Sequence, residues 1–213
     1  MKNLQKKADS IKKAAGNKTT GNNNVPPATA KTGKSETENQ TLPELDSARA
    51  RKLPKKILNP AELKTFLSNL HDELKRKFPA DAAASARSIA TKLGNDPVKL
   101  EAAALHGWQN GADQEALLLI VKGAAAGADG LVLTNAGGML DIYGLPEKAI
   151  PVLRTVVSYA PKNVIALNNL GQAYTALGMR DSAMIYLRRC ISLSSQHPEA
   201  NNTAGHIELK NGN

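Results

Sequence analysis

The chain has 213 residues, a formal net charge of +9 and a single cysteine, which excludes an internal disulfide. Residues 1–56 hold thirteen Lys and Arg against five Asp and Glu, whereas residues 57–213 hold fifteen against fourteen. A basic folded surface for nucleic acid is therefore not expected, and any contact with nucleic acid or an anionic membrane would come from the N-terminal residues.

The first quarter of the chain, residues 1–56, is predicted to be a disordered basic tail and linker. Its run GNKTTGNNNVPPATAKTGKSETENQ has too few large apolar side chains to offset the entropy lost on folding. The first sixteen residues allow a basic amphipathic helix, but the alanine-rich stripe favours a solvated, fraying one. Two prolines, Pro43 and Pro54, indicate that Pro43–Lys56 is linker.

Neither a signal peptide nor a membrane span is predicted, because the start has no continuous apolar core and the longest apolar run is Ala116–Val121. The default prediction is a cytoplasmic protein. If the first residue is instead the trimmed end of a mature chain, the periplasm becomes the alternative.

Residues 57–96 are predicted to form a helical hairpin. Asn59 and Pro60 give a cap followed by proline, and apolar residues then follow at helical spacing up to Phe78. A second, alanine-rich helix ends at Gly94, and Asp96 begins the next cap-plus-proline signal. The hairpin is about one repeat long, so it is interpreted as a degenerate repeat or an N-terminal cap, with its apolar stripe covered by the first repeat.

Glycines recur at one spacing through the rest of the chain. Gly111, Gly144, Gly178 and Gly212 are separated by 33, 34 and 34 residues. Seven residues before them lie Ala104, Gly137, Gly171 and Gly205. Such a period predicts a repeat of two helices in which glycine ends the first helix, because glycine adopts the left-handed conformation cheaply. Across the hairpin, the small Gly171 is expected to meet Ala183.

On these residues the sequence resembles the tetratricopeptide repeat family, whose pattern is W-x2-L-G-x2-Y followed by alanine, an aromatic residue, alanine and proline. In residues 164–197 the matching positions are Leu167, Leu170, Gly171, Tyr174, Ala183, Leu187, Cys190 and Ser195. In residues 130–163 they are Leu133, Ala136, Gly137, Leu140, Ala149, Leu153, Val156 and Pro161. The resemblance implies an all-α, right-handed superhelix over residues 97–213.

The predicted array has units at 97–129, 130–163 and 164–197 and a partial unit at 198–213. The first unit departs most from the pattern, since Gly107 replaces the tyrosine and Trp108 lies one place late. The last unit reaches its turn glycine and stops at Asn213. The helix before this turn could cap the array, but the preferred hypothesis is that the sequence is the N-terminal piece of a longer array.

In this family the concave face, formed mainly by the first helix of each repeat, binds peptides or partner helices, and asparagines at one register can pair with a peptide backbone. The resemblance therefore implies a protein or peptide partner and gives this pairing role to Asn135 and Asn169. Mapping by register adds further candidate groove residues: Asn168, Gln172, Asn202, Thr203 and His206. Side-chain amides suit this role because each offers a donor and an acceptor. The alternative is that these side chains bond to neighbouring repeats or to water.

No catalytic, metal or cofactor site is predicted. The four histidines, His71, His106, His197 and His206, share no metal-ligand spacing. Cys190 lies at a packing position, and the glycines between residues 123 and 130 lack the strand that a dinucleotide loop needs. The predicted function is a non-catalytic interaction scaffold. The alternatives are a binder acting through the basic tail, and the N-terminal fragment of a larger enzyme or envelope protein.

Overall fold

The computed structural model describes residues 41–127 and 129–212. The predictions for residues 1–40 lie outside this range. The described residues form ten α-helices and no strand. We number the helices α1 Ser47–Ala50, α2 Pro60–Lys77, α3 Ala80–Leu93, α4 Pro97–Gln109, α5 Asp113–Ala125, α6 Gly130–Ile142, α7 Pro146–Tyr159, α8 Val164–Ala176, α9 Arg180–Leu193 and α10 Pro198–Lys210.

The helix starts follow from polar caps that the sequence places there. Asn59 and Glu62 form a reciprocal capping box at the start of α2, with both hydrogen bonds at 3.0 Å. Asp96, Asp129 and Asn163 accept backbone N–H bonds from the first turns of α4, α6 and α8. These caps set the register of each first helix, and so decide which side chains face the neighbouring repeat.

The array consists of helix pairs, α4 with α5, α6 with α7 and α8 with α9, followed by α10. All four turn glycines have left-handed φ values, between +69° and +90°. A Cβ built at Gly171 would lie 2.6 Å from Leu187 Cδ2. The expected partner, Ala183, is not among the nearest atoms, so Gly171 makes room for a leucine one turn further along α9.

The hairpin formed by α2 and α3, here called the outer hairpin, packs on the second helices of the repeats. The α2 helix packs mainly on α5 and also touches α7, and α3 packs mainly on α5. Both α5 and α7 are second helices of repeats, which form the outer layer of the array. The buried stripe of α2 comprises Leu63, Leu67, Leu70 and Leu74. The first repeat covers this stripe, as the sequence predicted. The sequence did not predict that the hairpin would lie on the outer layer.

Residues 41–58, here called the N-terminal strap, contain the predicted linker Pro43–Lys56 and pack along the repeats. The Asp46 amide donates to the Leu177 carbonyl at 3.0 Å, and Arg49 donates to the Gly144 carbonyl at 2.6 Å. Further along, Arg154 donates to the Pro54 carbonyl at 2.8 Å. The strap thus runs antiparallel to the order of the repeats, from the turn at Gly178 past the turn at Gly144 to α7. Composition did not reveal it because each of these bonds ends on a backbone carbonyl, which every residue carries.

The fold is an all-α, right-handed superhelix of helix pairs, with the outer hairpin and the strap added to it. Its core lies between the first and second helices of the repeats, where Leu117, Ile120, Leu140, Leu153 and Leu167 are fully buried. Across residues 41–127 and 129–212, no helix has the length and apolar character needed to cross a membrane.

Candidate functional site

The predicted binding residues lie on three first helices, α6, α8 and α10, which line the concave side of the array. The start of α8 is fixed by Asn163, whose side chain accepts from the Ala166 amide at 3.0 Å. The start of α10 is fixed by His197, whose Nδ1 accepts from the Ala200 amide at 3.3 Å. Because these caps hold both helices in the same register, residues one repeat apart lie side by side across each interface.

Asn135 does not reach the concave surface. Its side chain is 2% exposed, and its Nδ2 donates to Glu101 Oε1 on the preceding first helix at 2.6 Å. Burial raises the pKa of Glu101, and the Asn135 hydrogen bond opposes that rise. The prediction was that Asn135 binds a peptide backbone. In this structure its amide instead joins the first repeat to the second.

Asn168, Gln172 and Thr203 form a polar clasp between α8 and α10. The Asn168 Nδ2 donates to Glu199 Oε2 at 2.9 Å, and the Gln172 Nε2 donates to Asn168 Oδ1 at 3.3 Å. Gln172 and Thr203 also bond to each other, with the amide nitrogen 2.9 Å from the hydroxyl oxygen. Asn168 is buried, whereas Gln172 and Thr203 are half-buried. The clasp sets the angle between the last two first helices.

Asn169 lies beside this clasp and has an amide nitrogen without an acceptor. Its Oδ1 is 3.5 Å from the Asn168 Nδ2, a long contact, and its own Nδ2 is buried with no hydrogen-bond partner among the described residues. Leaving a buried donor unpaired costs free energy, about 1–3 kcal/mol. A group that brought a carbonyl oxygen to this position would recover that cost.

Asn202 and His206 complete the accessible part of the predicted site. Asn202 is exposed and His206 is half-buried, and within residues 41–127 and 129–212 neither side chain forms a hydrogen bond or an ion pair. Together with Asn169 they form what we call the concave patch, on the first helices of the last two repeats. Apart from Asn135, the predicted residues thus divide into a clasp and a patch.

A family model described as a tetratricopeptide repeat matches residues 164–197, the unit that contains α8 and α9. Residues 164–197 are thus similar to a single tetratricopeptide repeat. The fold of the chain is similar to that of two solved structures, MamA 41-end from Desulfovibrio magneticus RS-1 and a MamA RS-1 ArsTM double mutant. No curated protein sequence matches this chain.

The first of these similarities has 19% sequence identity, covers 71% of this chain and 86% of the MamA chain, and has a TM-score of 0.53. The double mutant has 20% identity, covers 70% of this chain and 85% of its own, and has the same TM-score. At this identity the likeness shows the fold alone. Tetratricopeptide repeats of this kind are protein–protein interaction scaffolds.

Sequence reasoning missed two acidic residues of the first helices, Glu101 and Glu199. Each accepts the amide of an asparagine on a neighbouring first helix. The sequence held a signal for Glu101, because it lies 33 residues before Thr134 and 67 before Asn168. It therefore occupies the same register on its first helix as those two polar residues do on theirs. Also missed were two aliphatic residues at the starts of first helices, Val98 and Leu131, which are 61% and 54% exposed.

Two features of the described residues concern metal binding and the thiol of Cys190. Among them, no group of three or more His, Cys, Asp and Glu side chains is placed to hold a metal ion. Cys190 is fully buried in the core, as its packing position predicted, and burial raises the pKa of its thiol to about 11. A thiol with that pKa is protonated at neutral pH.

Proposed function

We propose that this protein is a non-catalytic scaffold that binds an extended segment of a partner protein along α8 and α10, at the concave patch. The observation that supports this most directly is the unpaired Nδ2 of Asn169. An extended peptide presents a carbonyl oxygen at every residue, and this is the group that the buried amide lacks. Asn202 offers a second amide one repeat away, on the neighbouring helix.

The charges around the patch favour a neutral stretch of backbone as the ligand. The arginines of the third repeat are engaged elsewhere: Arg180 pairs with Glu44 of the strap at 3.2 Å, and Arg188 pairs with Glu208 at 3.2 Å. Arg189 lies over the Tyr186 ring, 5.9 Å from its centroid. No cluster of cations therefore faces the patch from α8 or α9, and an acidic tail has little to attract it.

The test uses the full chain, because the strap packs on the repeats. A random peptide library is selected on the wild type, and each recovered peptide is measured by titration calorimetry. The double variant Asn169→Ala and Asn202→Ala removes both amides and raises helix propensity at each position, so loss of binding would not reflect unfolding. Two hydrogen bonds of about 0.5–1.5 kcal/mol each predict affinity reduced about 5- to 150-fold.

The control is Gln114→Ala, which removes an amide from α5, a second helix of the first repeat. Peptides that bind the wild type and this control equally, but the double variant poorly, would support the proposal. Peptides that bind all three equally would contradict it. The alternative function, binding through the basic tail, predicts affinity that falls steeply with salt and is lost on removal of residues 1–40.

A further inference from the structure

A cavity lies between the outer hairpin and the first repeat, on the opposite layer from the concave patch. Its volume is about 320 Å³, and α2, α3 and α5 line it. We call it the basic cavity because its charged lining groups are all cationic: Lys75, Arg87 and Lys122, with His71 beside them. Its floor is apolar and includes Ala86, Ala90, Leu118 and Leu119.

Lys122 is the least expected residue in this cavity. It is the only charged residue between Ala116 and Ala126, in a helix whose neighbouring side chains are buried. Lys122 is half-buried as a residue, and its ammonium group forms no hydrogen bond or ion pair with any side chain in residues 41–127 and 129–212. A partly buried charge without a partner costs free energy, and an apolar residue would pack better in this place.

The other cations are also weakly compensated. Arg87 is exposed at the mouth, and its guanidinium has no partner among the described side chains. Lys75 is 3.7 Å from Asp72, whose side chain is 57% exposed, so that pair is well solvated. Asp72 lies beside the cavity and is not one of its lining residues. The cavity therefore holds several positive groups around an empty volume with little negative charge inside it.

The pKa of His71 is sensitive to the positive charges of this cavity. Its side chain is 20% exposed, and its pKa is lowered by burial first and then by the positive charge of Lys122. Lys75 also lowers this pKa, while Asp72 opposes the shift. An anion placed among these groups would favour the charged imidazolium and would move the His71 pKa upward.

We propose that the basic cavity binds a small organic oxyanion, a carboxylate or a phosphate monoester, whose compact apolar part rests on Leu118 and Leu119. The cations would hold the anionic group, with Arg87 suited to a two-point contact with its oxygens. The volume falls within the range of small-molecule sites and exceeds the space an inorganic ion fills. This inference goes beyond the scaffold function and does not depend on it.

A bound anion would also join the outer hairpin to the first repeat, since its contacts come from α2, α3 and α5. A ligand that binds only the folded state stabilises that state in proportion to the logarithm of its concentration. Binding should therefore raise the Tm of the full chain as ligand is added.

The experiment titrates the full chain with phenyl phosphate, with benzoate and with neutral benzyl alcohol, and follows the His71 ring protons by NMR together with the Tm. We expect saturable binding of one or both anions, a rise in the His71 pKa, and no saturable shift with benzyl alcohol. Lys122→Met should weaken binding at least tenfold and leave the ligand-free protein as stable or more stable. The matched control Lys64→Met changes an exposed lysine on another part of α2 and should bind like the wild type.

Arg87→Gln provides a second test, because this side chain is exposed and its replacement leaves the core intact. It should weaken anion binding several-fold. Equal affinities in the wild type, Lys122→Met and Arg87→Gln would overturn the proposal. So would an equal response to benzyl alcohol and the anions, or a Lys122→Met protein that is less stable without ligand while binding as tightly as the wild type.

Discussion

Replacing Asp141 with asparagine should make this protein more stable at neutral and alkaline pH. Asp141 is on α6, its Oδ1 is buried without a hydrogen-bond partner among the described residues, and burial raises its pKa to about 7. The charge of Arg49 on the strap opposes this rise but does not cancel it. Between pH 3.8 and about 7, the native state therefore favours the neutral carboxylic acid, whereas the unfolded chain favours the carboxylate.

The sign and the size of the effect follow from linkage. Below pH 3.8, the ordinary pKa, Asp141 is protonated in both states and no penalty exists. As pH rises toward 7, ionisation favours the unfolded chain, and stability falls by about 1.4 kcal/mol per pH unit. Above pH 7 the penalty is constant at about 4 kcal/mol, the product of that slope and the shift. Asparagine has nearly the same shape and carries no charge at any pH.

The assay is urea unfolding of the wild type and Asp141→Asn from pH 4 to pH 8.5, plotted as the difference in unfolding free energy. Other groups titrate in both proteins and cancel in the difference. We expect a difference that grows up to pH 7 in favour of the variant and then stays level. Asp181→Asn, which changes an exposed carboxylate, controls for the removal of a negative charge. A difference that does not change with pH, or a less stable variant at pH 8, would refute the reasoning.

Three further predictions concern packing and charge. Gly171→Ala should destabilise the folded protein by about 1 kcal/mol, because the overpacking against Leu187 exceeds the gain in helix propensity. Gly205→Ala, at the same register, should stabilise the protein by about as much, because nothing lies within 4 Å of the new Cβ. Thermal melts measure both effects. Gly178→Ala should speed hydrogen exchange in the strap, because the new Cβ would meet the strap's backbone, whereas Gly111→Ala should not. Glu73→Gln should lower the free energy of unfolding by about 1 kcal/mol at pH 7, because two lysines hold the pKa of the Glu73 carboxyl near 2. In urea unfolding, the difference between the variant and the wild type should disappear toward pH 2.

The repeats were predictable because their signals are local. A helix ending at Gly144 or Gly178 needs a left-handed residue, and the sequence supplies glycine at a constant spacing. The start of α2 needs a polar cap, and Asn59 followed by proline supplies it. Such signals act within a few residues along the chain, so they can be recognised without knowing what packs against them.

The burial of the site residues was not predictable in the same way. Asn135 and Asn169 have the same register, yet one is bonded to Glu101 and the other has an unpaired amide. The difference arises from the neighbouring repeat, which offers an acid to one and no acceptor to the other. The strap was missed for a related reason, because backbone bonds such as that from Asp46 to Leu177 leave no trace in composition.

The polar contacts between first helices explain why the binding proposal rests on the last two repeats. The first interface is joined by Asn135 and Glu101, and the second by the Asn163 amide, 3.3 Å from the Thr134 hydroxyl. Buried polar pairs of this kind fix how neighbouring elements stack, since any other arrangement would leave them unpaired. In the third interface the clasp performs this function without using Asn169. An amide that the stacking does not require is the one that remains available to a partner.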